Sequence, residues 1–377
     1  MTDLLTHIDA GVGAAAGTRV CIRNVRAVTP QGIVDDATVT VQGGVIVEVR
    51  ERGTPSPGAI DGRGAFLVPG LVDACSDGLD KESSPCQNVQ LPFDFALRSF
   101  EGRVRAAGIT TVLHAVAFER DASRMHTIEL ANEMSDAIGA HRRGGEAIVD
   151  HRMASRLDID DGRACKALAK RLEASRLAAG ADPAELADPA PLVCIAHRPS
   201  GSGHRAAAVP PGLAWLIQAA ASREVRLMTC APSDAVDIDD AQEWHTSLVA
   251  FPATVAVATA AKEHGLTVVG AAPTVLRDAR LGRTVSTAEL VARGLCDLLV
   301  SDFMPSTLLG AATALVADGA CDLARAIDLV TAGPAQALGL SDRGRLVVGL
   351  RADLVLASIS GRLPTVRNVW SAEEVPT

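Results

Sequence analysis

Cys75-Ser76-Asp77 ends one short apolar run of the chain, His114 sits in a second and Asp150-His151-Arg152 in a third; His197-Arg198, Cys230 and Asp302 end the fourth, fifth and eighth. Imidazoles, thiols and carboxylates at such positions are the donors that hold one or two divalent ions and leave a place for a water whose pKa the metal lowers. Thiolate is a good zinc ligand, so a site of Cys75, Cys230 and His197 with Asp77 as fourth ligand can be drawn. Arg152, Arg156 and Arg198 fall near the same run ends, where a guanidinium fork suits phosphate, and Lys81 adds a second phosphate contact if its loop folds inward. Each feature also has a plain structural reading. An aspartate after a strand caps the next turn, a buried cysteine packs as a small apolar residue, and His114 and His151 can simply hydrogen-bond inside a barrel wall.

Positioning such groups requires a scaffold that brings many run ends together. Eight apolar runs alternate with Ala/Leu/Arg-rich segments of helical periodicity such as 97–107 and 164–178; the runs cover 66–74, 110–117, 147–153, 192–197, 225–230, 247–251, 267–271 and 298–302. Continuous apolar strands are buried on both faces, and eight βα units predict a (β/α)8 barrel of the metal-dependent hydrolase type, with its chemistry where the strands end. Both chain ends read differently. Residues 19–49 form short β-branched runs separated by Gly32, Gly43 and Gly44, and residues 344–356 repeat the pattern, which predicts a small β-sandwich made from both ends. The expected division is a leader over 1–17, a composite β-domain over 18–65 and 344–377, and the barrel over 66–343.

With 377 residues, 48% of them hydrophobic, the chain can bury one large core. A net charge of -9 without a basic stripe argues against a nucleic-acid surface. No run approaches the roughly 18–20 apolar residues of a membrane helix. Eight cysteines at irregular spacing, without a CxxC pair, read as reduced thiols and a cytoplasmic location. A phosphorylated small molecule is the expected partner, and a homo-oligomer is left open.

Several ordered motifs carry a resemblance. Pro69-Gly70-Leu71-Val72-Asp73 leads to Cys75-Ser76-Asp77; then come Ala107-Gly108-Ile109-Thr110-Thr111, Asp150-His151-Arg152, Phe251-Pro252-Ala253-Thr254, Gly270-Ala271-Ala272-Pro273, Ser301-Asp302 and Gly333-Pro334-Ala335-Gln336-Ala337-Leu338. In this order they resemble the amidohydrolase superfamily, and Leu79-Asp80-Lys81 resembles a narrower group within it, the triphosphate diphosphatases of phosphonate breakdown. The resemblance implies hydrolysis of a ribosyl 5-triphosphate to the 5-phosphate and diphosphate by a divalent metal, zinc foremost. Asp302 would accept the proton, Asp77 and Asp150 would bind metal, and arginines would neutralise the leaving group.

The departures from that pattern fall on polar positions. Cys75 replaces the first histidine, Ala154 another, and His197-Arg198, Cys230-Ala231-Pro232 and Ala250 replace further strand-end groups. The expectation is therefore a hydrolase fold with a degraded metal site. The alternatives are a non-catalytic paralogue that binds a phosphorylated sugar or a pathway partner, and a divergent hydrolase with a rebuilt Cys/His/Asp zinc site. A deaminase or cyclic amidase is less favoured, because those too depend on strand-end histidines.

Overall fold

The computed structural model describes residues 19–53, 57–86, 88–120, 126–178, 189–196, 211–277 and 285–372. Strands β1 (Arg19–Thr29), β2 (Gly32–Gln42), β3 (Val45–Glu51), β4 (Ile60–Asp61) and β5 (Phe66–Pro69) come first. They join the last two, β14 (Leu354–Ser360) and β15 (Leu363–Trp370), in one sheet of order β15-β14-β5-β1-β2-β3, with β4 beside β1. Between β2 and β3 the turn is Gly43-Gly44, both at positive φ (56° and 73°), the conformation that a two-residue hairpin demands. The small core of this unit gathers Ile22, Val25, Val39, Val41, Ile46, Leu67, Leu354 and Leu356 from both ends of the chain.

The second sheet is the barrel: β6 (Leu71–Ser76), β7 (Ile109–Phe118), β8 (Asp150–Leu157), β9 (Leu192–Ala196), β10 (Arg226–Cys230), β11 (Leu248–Ala250), β12 (Thr267–Ala271) and β13 (Leu298–Val300). All eight run parallel in sequential order. A bridge between Ser76 and Asp302 brings the last strand back to the first. Val72, Leu113, Ala154, Leu192, Met228, Leu248, Val269 and Leu298 fill the interior, one from each strand. The opposite strand faces pack on helices, as a buried ring layer requires. Helix α1 (Gly78–Ser83) follows β6; α2 (Phe93–Ala106) and α3 (Ile128–Arg143) flank β7. Leu97, Phe100 and Val104 of α2 and Ala131, Met134 and Ile138 of α3 recur at helical spacing and bury against Val112 and Val116.

Two strand expectations are corrected. Residues 66–74 are not one barrel strand: the chain breaks at Pro69-Gly70, so Phe66–Pro69 pairs with β1 and β14, and only Leu71–Ser76 enters the barrel. The break is enforced by crowding, since a Cβ on Gly70 would lie 2.1 Å from Thr110 Oγ1. The third strand starts at Asp150, whereas the apolar run 147–153 placed its end there. The reason is that the amides of Ile148 and Val149 donate to the Glu101 carboxylate (2.8 and 3.2 Å) and not to a strand neighbour.

Asp73 sits at the seam of the ring. Fully buried, it accepts from both the amide and the hydroxyl of Ser301. Burial pushes its carboxyl up to about 7, against the opposing pull of those Ser301 hydrogen bonds. A carboxyl whose folded value is raised binds its proton more tightly in the folded chain, so stability declines as pH rises from about 4 through 7. The loss over that window amounts to about 4 kcal/mol. Asp73→Asn, which cannot ionise, is expected to flatten this decline in urea unfolding measured at stepped pH, and an unchanged slope would disprove the assignment.

Candidate functional site

At the C-terminal rim of the barrel, Asp77 follows β6, Glu119 follows β7, Arg156 is the penultimate residue of β8, Cys230 ends β10 and Asp302 follows β13. The Asp77 amide donates to the Asp302 carbonyl (2.6 Å), and Asp302 takes a left-handed backbone (φ 56°) there. Arg156 dominates the rim. Its Nη1 donates to both oxygens of Asp77 (3.0 and 3.1 Å) and its Nη2 to Glu119 Oε1 (3.0 Å). Burial works against this cation, but the Asp77 and Glu119 carboxylates outweigh it and raise its pKa further. Glu119 Oε1 also meets His126 Nδ1 at 2.8 Å, and His126 Nε2 lies 3.2 Å from Asp80 Oδ2. Hydrogen bonds to Asp80 and then Glu119 lift His126 to about 9, so the row Asp77, Arg156, Glu119, His126, Asp80 alternates in sign at neutral pH. Lys81, exposed on α1, places its ammonium 5.6 Å from the centre of the Phe303 ring beside Asp302.

Three thiols border the inner cluster of the barrel. Cys194 is raised well above an ordinary thiol by its hydrogen bond with Cys75, by burial and by the proximity of Cys75 and Cys230. Burial, with Cys75 nearby, pushes Cys230 up to about 12. Both are neutral thiols at physiological pH.

The other predicted residues separate from this rim. Asp150 and Arg152, expected as metal carboxylate and phosphate ligand, open β8 and so lie toward the opposite end of the barrel. There Asp150 Oδ2 accepts from Arg152 (2.8 Å) and Arg343 (2.8 Å), with Arg142 3.4 Å from Oδ1. Burial raises its carboxyl, but the three guanidinium groups together hold it below the usual range. His197 and Arg198 lie outside the described residues. His114 points away from the interior, against Phe100 of α2.

A different cluster forms in the wall between barrel and helices. Glu101 of α2, His141 of α3 and His151 of β8 each bring one donor atom to within 4.8 Å of the others. Among the described residues this is the one group of three or more His, Cys, Asp or Glu donors so close, and it could hold a divalent ion. Glu101 is 7% exposed and takes His151 Nε2 on Oε1 at 3.2 Å, while His151 Nδ1 faces His114 Nε2 at 2.8 Å. Burial opposes ionisation of Glu101, yet the His151 hydrogen bond and charge, the Ile148 amide and His141 together lower it to about 2.

The chain resembles known proteins along most of its length. Residues 287–371 match the model of an amidohydrolase family. The alpha-D-ribose 1-methylphosphonate 5-triphosphate diphosphatase of Escherichia coli (strain K12) is 28% identical over 93% of this chain and 98% of its own. In sequence the chain is thus similar to amidohydrolases. Solved amidohydrolase folds superimpose widely: dihydropyrimidinase from Brevibacillus agri NCHU1002 at TM-score 0.64 and 13% identity over 94% of each chain, and a triazine hydrolase variant at 0.65 and 17% over 95% of this chain and 94% of that one. These two show the shared fold.

At the barrel mouth, where the resemblance implies a metal, the described carboxylates are already engaged by cations. Both Asp77 oxygens accept from Arg156, and Glu119 is held between Arg156 and His126. Cys75, Cys230 and Asp77 do not form a donor set of the closeness found around Glu101. Sequence reasoning reached Asp77, Asp302 and Arg156 but missed Glu119, His126 and Glu101. Glu119 was within its reach, because the second strand runs on to Phe118 and the residue after a strand end is where the rim rule looks. Glu101 and His141 lie on helices, where no spacing marks them.

Proposed function

We propose that this chain is a divergent relative of the ribose 1-methylphosphonate 5-triphosphate diphosphatases that binds a phosphorylated sugar at its barrel mouth and does not hydrolyse a triphosphate there by the parental metal route. The observation that carries this reading is the Arg156 guanidinium bound to both oxygens of Asp77 and to Glu119. A fixed cation thus takes the carboxylates that would otherwise face a divalent ion, and it offers no water to activate. Asp150, the second metal carboxylate implied by the resemblance, is held by arginines away from the rim. The ligand class rests on the resemblance to the Escherichia coli diphosphatase, supported by the exposed Lys81 ammonium beside the exposed Phe303 ring.

Purified protein given ribosyl and nucleoside triphosphates with added zinc, manganese or magnesium is expected to release no diphosphate above a protein-free control. Ribose 5-phosphate and ribosyl triphosphates are expected to raise its melting temperature, less so in Lys81→Ala. Metal-dependent turnover would overturn the non-hydrolytic half of this reading, and no stabilisation by any phosphorylated sugar would overturn the other half.

A further inference from the structure

We propose that Glu101, His141 and His151 form a zinc-type divalent-cation site in the wall of the barrel, apart from the mouth, which ties α2 and α3 to the start of β8. The starting observation is a buried atom without a hydrogen bond. His141 Nε2 is buried and makes no hydrogen bond, although its side chain is only 9% exposed and Glu101 Oε2 lies 3.4 Å away. A buried nitrogen without a hydrogen bond is costly, and so near a carboxylate oxygen an ordinary donor–acceptor pair would be expected to close. Zinc bonds of about 2.0–2.1 Å in a tetrahedron set its ligand atoms roughly 3.3–3.4 Å apart. The 3.4 Å separation matches that spacing.

Glu101 is arranged for such a role. Its Oε1 is taken by the amides of Ile148 and Val149, which fix the carboxylate and leave Oε2 turned toward His141. His151 Nε2, 3.2 Å from Oε1, completes a His2Glu set, one of the donor combinations that zinc takes. Behind it, His151 Nδ1 faces His114 Nε2 at 2.8 Å, the outer contact that fixes the orientation of a ligating imidazole. His151 is wholly buried on the helix-facing side of the barrel wall, so an ion here crosslinks secondary structure and does not reach the rim. This role is independent of the proposed ligand at the mouth.

The test uses the full chain, stripped with a chelator and titrated with zinc against a chromophoric competitor, and separately loaded with cobalt. One zinc per chain is expected, with a rise in melting temperature. The cobalt spectrum should be that of a tetrahedral ion without a thiolate charge-transfer band. His141→Gln should weaken zinc binding more than about 100-fold, a larger loss than outer contacts produce. Cys75→Ser combined with Cys230→Ser should leave it unchanged. Failure of the parent chain to bind zinc, a thiolate band with cobalt, or retention of affinity in His141→Gln overturns the proposal. Because the cobalt spectrum is read on the parent chain, it decides the matter even if His141→Gln does not fold.

Discussion

Replacing Glu101 with alanine is expected to remove about 3–5 kcal/mol of stability, measured by urea unfolding at pH 7 in zinc-free buffer. The carboxylate is 7% exposed and holds the Ile148 and Val149 amides and the His151 imidazole, so truncation strands three buried donors at once. It also removes the reason that β8 starts where it does. The pH dependence separates charge from packing. The folded Glu101 carboxyl lies at about 2, below its ordinary 4.5, so its contribution is present above about pH 4.5 and is lost as pH falls toward 2. That contribution is about 3 kcal/mol. Glu101→Gln keeps the shape but cannot ionise, and it should flatten this acid limb while leaving the decline above pH 4 set by Asp73. An alanine variant as stable as the parent would show that the buried carboxylate anchors nothing.

The barrel was legible in the sequence because its strands are buried on both faces, and that burial writes itself as continuous apolar runs such as Leu192-Val193-Cys194-Ile195 and Leu298-Leu299-Val300. The same rule put Asp77 and Asp302 at neighbouring strand ends, where the amide of one meets the carbonyl of the other. The signal failed where a side chain took over the work of a ladder. Ala147-Ile148-Val149 reads as the middle of a strand, but the Glu101 carboxylate takes two of its amides, so the strand starts later and Asp150 faces the wrong end. Pro69-Gly70 is a second such place. An unbroken apolar run hides a transfer between sheets that only the contact of Gly70 with Thr110 explains. Arg156 was visible as a phosphate ligand and not as an internal counter-ion. Its partners Asp77 and Glu119 are 79 and 37 residues away, and no local pattern links them.

That counter-ion role makes Arg156→Met the most informative change at the mouth. Methionine keeps much of the side-chain bulk while removing the charge and every donor, so the effect is chiefly electrostatic. Asp77 loses the donor to both of its oxygens, and Glu119 keeps only His126. Arg156, Asp77 and Glu119 are each 22–23% exposed, so water offsets part of the loss. A cost of about 2–3 kcal/mol is expected, below that of a fully buried pair. The second consequence is a gain. With the guanidinium gone, two carboxylates face one another at the rim, and each is stabilised by any cation that replaces it. Manganese or zinc should therefore raise the melting temperature of Arg156→Met in a variant that also carries His141→Gln, and should do so far less in His141→Gln alone, where the arginine still stands. Equal metal responses in the two chains would mean that Arg156 does not hold the cation position at the mouth, and the proposed non-hydrolytic reading would fail with it.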